Sequence, residues 1–252
     1  MGAMALLWRG QSDGITLEVR SAGETRRLYC DGVLHTHYNP THPLTGDVWD
    51  PMALAPFAEG VERPRRVLML GLGGGAVAHL LRRYHRGVEI TAIDIDPRRI
   101  SLGRRFFGLR RRGIELVCAD AIEWVKSAPV GGYDLVIDDL FGQVDGQPER
   151  AIPLARSWVD SLVSRLNPGG MLAVNCADKV GLDESALLAA KCYRETFESA
   201  LRFTFHRSHN HIGVFSARST TPAGFRASMR RSPELCSAKA KKLMRFRIST
   251  LW

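Results

Sequence analysis

The sequence predicts an α/β fold with a mostly parallel central sheet, and three observations carry that. The apolar run Val67 to Leu70 (VLML) passes straight into Gly71 to Gly75 (GLGGG), and Ala76 to Tyr84 (AVAHLLRRY) then reads as a helix. An apolar run ended by glycines is the pattern of a buried parallel strand whose chain reverses tightly. Three further apolar runs end in acids: ITAIDID (Ile90 to Asp96), IELVCAD (Ile114 to Asp120) and YDLVIDD (Tyr133 to Asp139). Acids at successive strand ends converge on one edge of a parallel sheet, where open α/β folds bind ligands.

Taken in order, residues 1 to 38 read as β structure. ITLEV (Ile15 to Val19) alternates, and RRLYCDGVLHTHY (Arg26 to Tyr38) is a hairpin turning at Asp31-Gly32. A Pro-, Thr- and His-containing loop (Asn39 to Gly46) precedes a short helix in VWDPMALAPFAEG (Val48 to Gly60). We therefore draw an N-terminal β-hairpin domain with its linker at 1–60. The catalytic unit is drawn at 61–217, with helices at Ile100 to Phe107, Ala121 to Lys126 and Ala151 to Leu166. MLAVNC (Met171 to Cys176) is the fifth strand, and Asp183 to Ala200 is one more helix. LRFTFHRS and HIGVFSA (Leu201 to Ser208, His211 to Ala217) form a terminal antiparallel hairpin. Residues 218–252 are a basic tail, with helix expected over Phe225 to Arg231 and Pro233 to Phe246.

Composition excludes several classes. An apolar fraction of 45% in 252 residues is that of a globular protein. No run approaches the ~18 apolar residues of a membrane span. MGAMALLWRG lacks a charged n-region and an h-region, so no secretory signal is expected. The five cysteines (Cys30, Cys118, Cys176, Cys192, Cys236) have no CxxC spacing, which fits reduced thiols in a cytoplasmic protein. The net charge of +9 is concentrated between Arg82 and Arg112 and in the tail, which has nine Lys or Arg and only Glu234 as an acid. Such charge suits an acidic partner or nucleic acid, although no nucleic-acid module accompanies it and a solvated face explains it as well.

With these residues in hand, the chain resembles the spermidine synthase-like branch of the class I S-adenosylmethionine-dependent methyltransferase superfamily. LYCDGVLHTHY, GLGGG, AIDIDP, CADAIEW and YDLVIDD fall in that family's order and spacing over about residues 26 to 217. FFG (Phe106 to Gly108) is also similar to the eukaryotic methyltransferase domains of the branch that modify translation elongation factor. The resemblance implies a Rossmann-like, seven-stranded methyltransferase sheet, S-adenosylmethionine as cofactor and a homodimer. Gly71, Gly73 and Gly75 would then line the methionine portion of the cofactor. Asp94, about 20 residues beyond the glycines, would accept the ribose hydroxyls. Asp120, with Ala121 beside it, would take the adenine amino group. Both acids are also placed to cap the helices that follow them. Asp139 aligns with the catalytic aspartate that opens the family's D-S/T-S/T-D-P loop, orients the attacking amine and takes its proton. It is favoured over its neighbour Asp138, which is expected to point into the sheet end.

The departures bear on the substrate. The acid that aminopropyl-transferring members carry in the glycine loop is Gly74 here, and their second loop acid is Gly142. Their hairpin glutamine is His35, and their Tyr-His-Glu segment reads Trp49-Asp50-Pro51, with Asp47 and Asp50 as partial substitutes. A polyamine brings several ammonium groups, each needing a partner when taken out of water. We therefore expect a methyltransferase acting on an amine or a protein group. The alternative is an aminopropyltransferase using the decarboxylated cofactor, and a further one a catalytically silent binding module. A nicotinamide-dependent oxidoreductase fits less well, because Asp120 and the terminal hairpin argue against it. LFGQVDGQPERAIP (Leu140 to Pro153) is read as a lid or substrate wall, with Phe141 either stacking on the substrate or the adenine or serving as an apolar plug. Trp49 and Trp124 are read as packing residues. The clusters His35, His37, His42 and His206, His209, His211 lack a Cys or acid to complete a ligand set, so no metal is expected.

Overall fold

The computed structural model describes residues 4–12, 14–59, 64–110, 112–144, 147–206, 208–233, 235, 244 and 246–252. The first unit is a four-stranded antiparallel sheet in the order β1-β2-β3-β4 (Ala5–Ser12, Ile15–Ala22, Thr25–Cys30, Val33–Tyr38). The β3–β4 turn uses Asp31 (φ 46°) and Gly32 (φ 82°), the paired left-handed residues that a two-residue hairpin requires. Leu17, Val19, Leu28 and Cys30 pack from this sheet against Leu102 and Phe107 of the main unit. Tyr38 stacks on His79 with ring centroids 4.3 Å apart.

The main unit holds β5 (Arg66–Leu70), α2 (Ala76–Tyr84), β6 (Glu89–Asp94), α3 (Pro97–Phe106), β7 (Ile114–Cys118), α4 (Ala121–Ser127) and β8 (Tyr133–Asp138). It continues through β9 (Phe141–Val144), β10 (Gln147–Arg150), α5 (Arg156–Val163) and β11 (Leu166–Cys176) to β12 (Ser199–Thr204) and β13 (His211–Ser216). With β14 at Arg247–Thr250, the sheet order is β14-β12-β13-β11-β8-β5-β6-β7, with β5, β6, β7, β8 and β11 parallel and β13 antiparallel to β11. Both faces of β5 are covered, so it reads as a continuous apolar run rather than an alternating one. Val67 and Met69 enter one core, with α2 and the segment around Met52, while Leu68 and Leu70 enter the other, with Trp158, Val159 and Leu162 of α5. The chain winds one way from β5 to β7 and the other way from β8 to β11. That reversal leaves a crevice at the ends of β5 and β8, where such folds bind ligands.

The structure differs from expectation in four places. Residues 49–59, grouped above with the N-terminal unit, form α1 (Trp49–Leu54) and a 3-10 turn (Ala55–Glu59) whose apolar residues join the core under α2. The single helix expected over Asp183 to Ala200 is three short ones, α6 (Lys179–Asp183), α7 (Ala186–Ala189) and α8 (Cys192–Thr196). In the tail, α9 (Pro222–Arg230) is a helix, but β14 (Arg247–Thr250) is an eighth strand paired antiparallel to β12. An open sheet edge offers unpaired backbone groups, and the tail satisfies them. Most of Pro233 to Phe246 lies outside the described residues. The lid segment is a two-stranded hairpin, β9–β10. Among the described residues no helix is long and apolar enough to cross a membrane.

Candidate active site

The ends of β5, β6 and β8, the start of α4 and residues of β4 enclose a cavity of about 320 Å³. Gly71 follows β5 at φ +88°, and its N–H bonds the Ile93 carbonyl at 2.9 Å. A Cβ there would meet the Asp139 carbonyl oxygen, so only glycine lets the two strand ends approach this closely. Gly73 also lines the cavity, against Thr36 and the His35 carbonyl. Gly75, expected beside them, does not. It caps α2, and the space a side chain would need is filled by Leu109.

Asp94 ends β6 and is 4% exposed. Its Oδ2 accepts the Leu72 N–H at 3.0 Å and its Oδ1 the Asp96 N–H at 2.9 Å. Burial pushes its carboxyl above the ordinary range, against the pull of Arg99 and these two bonds. Asp120 caps α4 through Oδ1, which accepts the N–H groups of Ile122 (2.7 Å) and Glu123 (3.2 Å). It nevertheless lines the cavity together with Ala121. Capping uses one oxygen, so the carboxylate keeps acceptor capacity.

Asp138 and Asp139 face opposite ways, as successive residues at a strand end do. Asp138 is fully buried, and its Oδ2 accepts Arg150 Nη2 at 2.6 Å and Trp158 Nε1 at 2.9 Å. The Arg150 side chain is itself 9% exposed, so this is a buried pair that ties the β9–β10 hairpin to the sheet. Asp139 faces the cavity, and its Oδ1 accepts Asn175 Nδ2 at 2.8 Å. Burial pushes its carboxyl up to about 7. The Asn175 hydrogen bond opposes the shift, the Asp138 charge adds to it and Arg150 opposes it.

Asp50 does not stand in for a missing acid. Asp50 is fully buried and accepts the N–H groups of Thr45 and Gly46, at 3.0 and 2.7 Å through Oδ2. Asp47 accepts the Val48 N–H at 2.8 Å. At Gly74 a side chain would fall 3.0 Å from Thr36 Cγ2 and 3.1 Å from the Phe107 ring, so packing closes that position. At Gly142 a side chain would meet nothing within 4 Å. Trp49 packs in the core and also lines the cavity, as do Leu140 and Phe141, whereas Trp124 packs on Tyr133. Among the described residues, no group of three or more His, Cys, Asp or Glu is placed to hold a metal ion.

Sequence reasoning missed Arg99, Asn175 and Asn210, which also line the cavity. Arg99 stands in the first turn of α3, five residues beyond Asp94, and Asn175 follows Val174, the β11 residue in register with Asp138. Both placements were signalled by strand ends already recognised. His35 Nε2 and Arg99 Nε are buried without a hydrogen-bond partner. Burial, with Arg99 adding to it, lowers the His35 pKa to about 4, so the imidazole is neutral at pH 7.

The strand order and the acid-rimmed crevice define a methyltransferase-like α/β protein with an antiparallel N-terminal sheet. A model of the spermine/spermidine synthase domain matches residues 52–201, more than half of the chain, and the chain belongs to that family of transferases. It is 31% identical over 147 residues to a spermine synthase of Arabidopsis thaliana, covering 55% of this chain and 39% of that one. It is 24% identical over 208 residues to putrescine N-methyltransferase 1 of Nicotiana tabacum, covering 79% and 53%. The chain spans less than half the length of the plant spermine and spermidine synthases it matches. A spermidine synthase solved with the transition-state analogue AdoDATO superposes with a TM-score of 0.70 at 16% identity, covering 95% of this chain and 83% of that one, and shares the fold.

Proposed function

We propose that this protein alkylates an amine, transferring the aminopropyl group of decarboxylated S-adenosylmethionine to a polyamine-class acceptor. The observation that carries it is Asp139, a carboxylate with a pKa of about 7 facing a cavity that Asp94 and Asp120 also line. The cavity residues fit a nucleoside sulfonium. Asp94 offers acceptors to two ribose hydroxyls, Asp120 an acceptor to an exocyclic amine, and Gly71 a backbone without a side chain in the way. The cofactor supplies an activated carbon next to a sulfonium, so the protein's work is alignment and proton transfer. Asp139 accepts the proton that the amine loses as its nitrogen forms the new bond. Its pKa near neutrality leaves it able to do so at pH 7 and above. Asp138, neutralised by Arg150, holds the hairpin wall.

Methyl transfer from S-adenosylmethionine to an amine is the second reading. Gly74 and Gly142, which lack the acids expected of a polyamine site, favour it, as does the similarity to putrescine N-methyltransferase. Calorimetric titration with each form of the cofactor, followed by mass analysis of products with putrescine and spermidine, separates the two. Tighter binding of the decarboxylated form with a polyamine product supports the main reading. Tighter binding of the carboxylated form with a methylated amine supports the second. Binding of neither, with Asp94→Asn indistinguishable from wild type, refutes both and favours a silent binding module.

A further inference from the structure

Asp139 does not stand alone at the cavity wall. Asn175, 3% exposed at the end of β11, donates Nδ2–H to its Oδ1 at 2.8 Å. Asn210, in the turn before β13, donates Nδ2–H to Asn175 Oδ1 at 2.9 Å. The Ser208 hydroxyl donates to Asn210 Oδ1 and accepts the Asn210 N–H at 3.1 Å. The Asn175 carbonyl is held in turn by Arg150 Nη1.

The direction of this chain is set by its end. In the ionised form, the one able to take a proton, Asp139 only accepts, so in that form Asn175 must present its NH₂ to Asp139 and its oxygen to Asn210. Asn210 must then present its NH₂ to Asn175 and its oxygen to a donor, which the Ser208 hydroxyl supplies. Each amide is locked by the next, and Asp139 Oδ2 accepts from no described residue. Charged and polar groups packed around Asp139 are Asp138 on its own strand and Arg150 from β10, with Asp94, Asp120, Arg99 and His35 on the other cavity walls.

We propose that Asn175 and Asn210 are positioning residues for Asp139: the directional relay Ser208–Asn210–Asn175 holds one carboxylate oxygen and leaves the other aimed at the cavity for the acceptor amine. The relay acts in two ways. It fixes the carboxylate rotamer, and it favours the ionised carboxylate, because a donor pointed at the charged form stabilises it. Its role in turnover rests on the proposed amine transfer, while its hold on Asp139 does not.

The test reads the titration of Asp139 directly. The carboxyl ¹³C shift is followed against pH in Asp-labelled full-length protein and assigned by its loss in Asp139→Asn. Asn210→Ala frees Asn175 to turn its oxygen toward Asp139; Asn210→Asp forces that turn, because a carboxylate at 210 cannot donate, but its charge also raises the midpoint by repulsion, so Asn210→Ala is the deciding variant. We expect the midpoint to rise in both, by about one pH unit in Asn210→Asp, a tenfold gain in proton affinity, and by less in Asn210→Ala. Asn175→Ala removes the donor and raises it as well. Asn210 lies in a partly exposed turn, so its variants keep the test open if Asn175→Ala fails to fold. An unchanged midpoint in folded Asn210→Ala overturns the relay, whatever Asn210→Asp does and whether or not the protein turns over. With an active acceptor pair, the acidic limb of kcat/KM moves up in step with the midpoint. A shifted midpoint in a protein with no turnover supports the relay and refutes only the amine-transfer reading.

Discussion

Replacing Asp139 by asparagine removes a charge from the end of β8 while keeping the oxygen that accepts Asn175 Nδ2 at 2.8 Å. The wild-type carboxyl is pushed up to about 7 from its ordinary 3.8, chiefly by burial. A raised folded-state value means that the fold prefers the neutral acid. The stability this group contributes is therefore fully present below its unfolded pKa and is lost as pH climbs toward about 7. Each pH unit in that window is worth about 1.4 kcal/mol. Between pH 5 and pH 7 the wild type thus loses about 2.3 kcal/mol from this group, because it is already half ionised at pH 7, or about 2 kcal/mol once solvent in the cavity is allowed for. Asp139→Asn does not titrate and escapes the loss. Asp50, also raised to about 7, is common to both proteins and cancels. Urea unfolding of both proteins at half-unit steps from pH 5 to pH 8.5 measures the difference. The variant's advantage is expected to grow by about 2 kcal/mol up to pH 7 and to stay level above it. Parallel stability curves would show that Asp139 ionises freely in the fold, and the reasoning behind its proton-accepting role would fail with them.

Three further outcomes are expected. Gly71→Ala places a side chain against the Asp139 carbonyl at φ +88°, and should cost about 2 kcal/mol or more and abolish cofactor binding, read by urea unfolding and calorimetry. Arg150→Met leaves Asp138 buried without its cation and should destabilise by about 3 kcal/mol, most of it recovered when Asp138→Asn is added; no recovery in the double-mutant cycle would contradict the buried pair. Trp252→Ala removes the Nε1 bond to the Phe197 carbonyl (3.2 Å) and the contact with Phe215 (centroids 5.5 Å apart). It should cost about 2 kcal/mol in thermal or urea unfolding, which an undocked C-terminus would not show.

The alternation of strand and helix was legible because a strand buried on both faces is an uninterrupted apolar run, as in Val67 to Leu70 and Leu135 to Ile137. Where such a run stops at a glycine or an acid, the sheet edge follows, so Gly71, Asp94, Asp120 and Asp139 were legible as a group. The Asp31-Gly32 turn was readable for a local reason, since few residue pairs adopt two left-handed conformations in succession. The rest depended on partners distant in sequence. Nothing near Asp138 or Asp139 tells which one turns inward; Trp158 and Arg150, 20 and 12 residues away, decide it by claiming Asp138. Gly75 looked like its neighbours until Leu109 filled the space beside it, and Asp50 looked available until Thr45 and Gly46 folded onto it. The tail carries a helical pattern in α9, yet its last residues pair with β12, because an open sheet edge recruits whatever strand reaches it. Sequence alone made the parallel strands and the rim of acids legible, because these are written in local hydrophobic runs and their end points. Tertiary structure decided which acids are free and which amides hold them, because a hydrogen bond between residues 36 apart, such as Asn175 to Asp139, exists only once the strand ends are brought together.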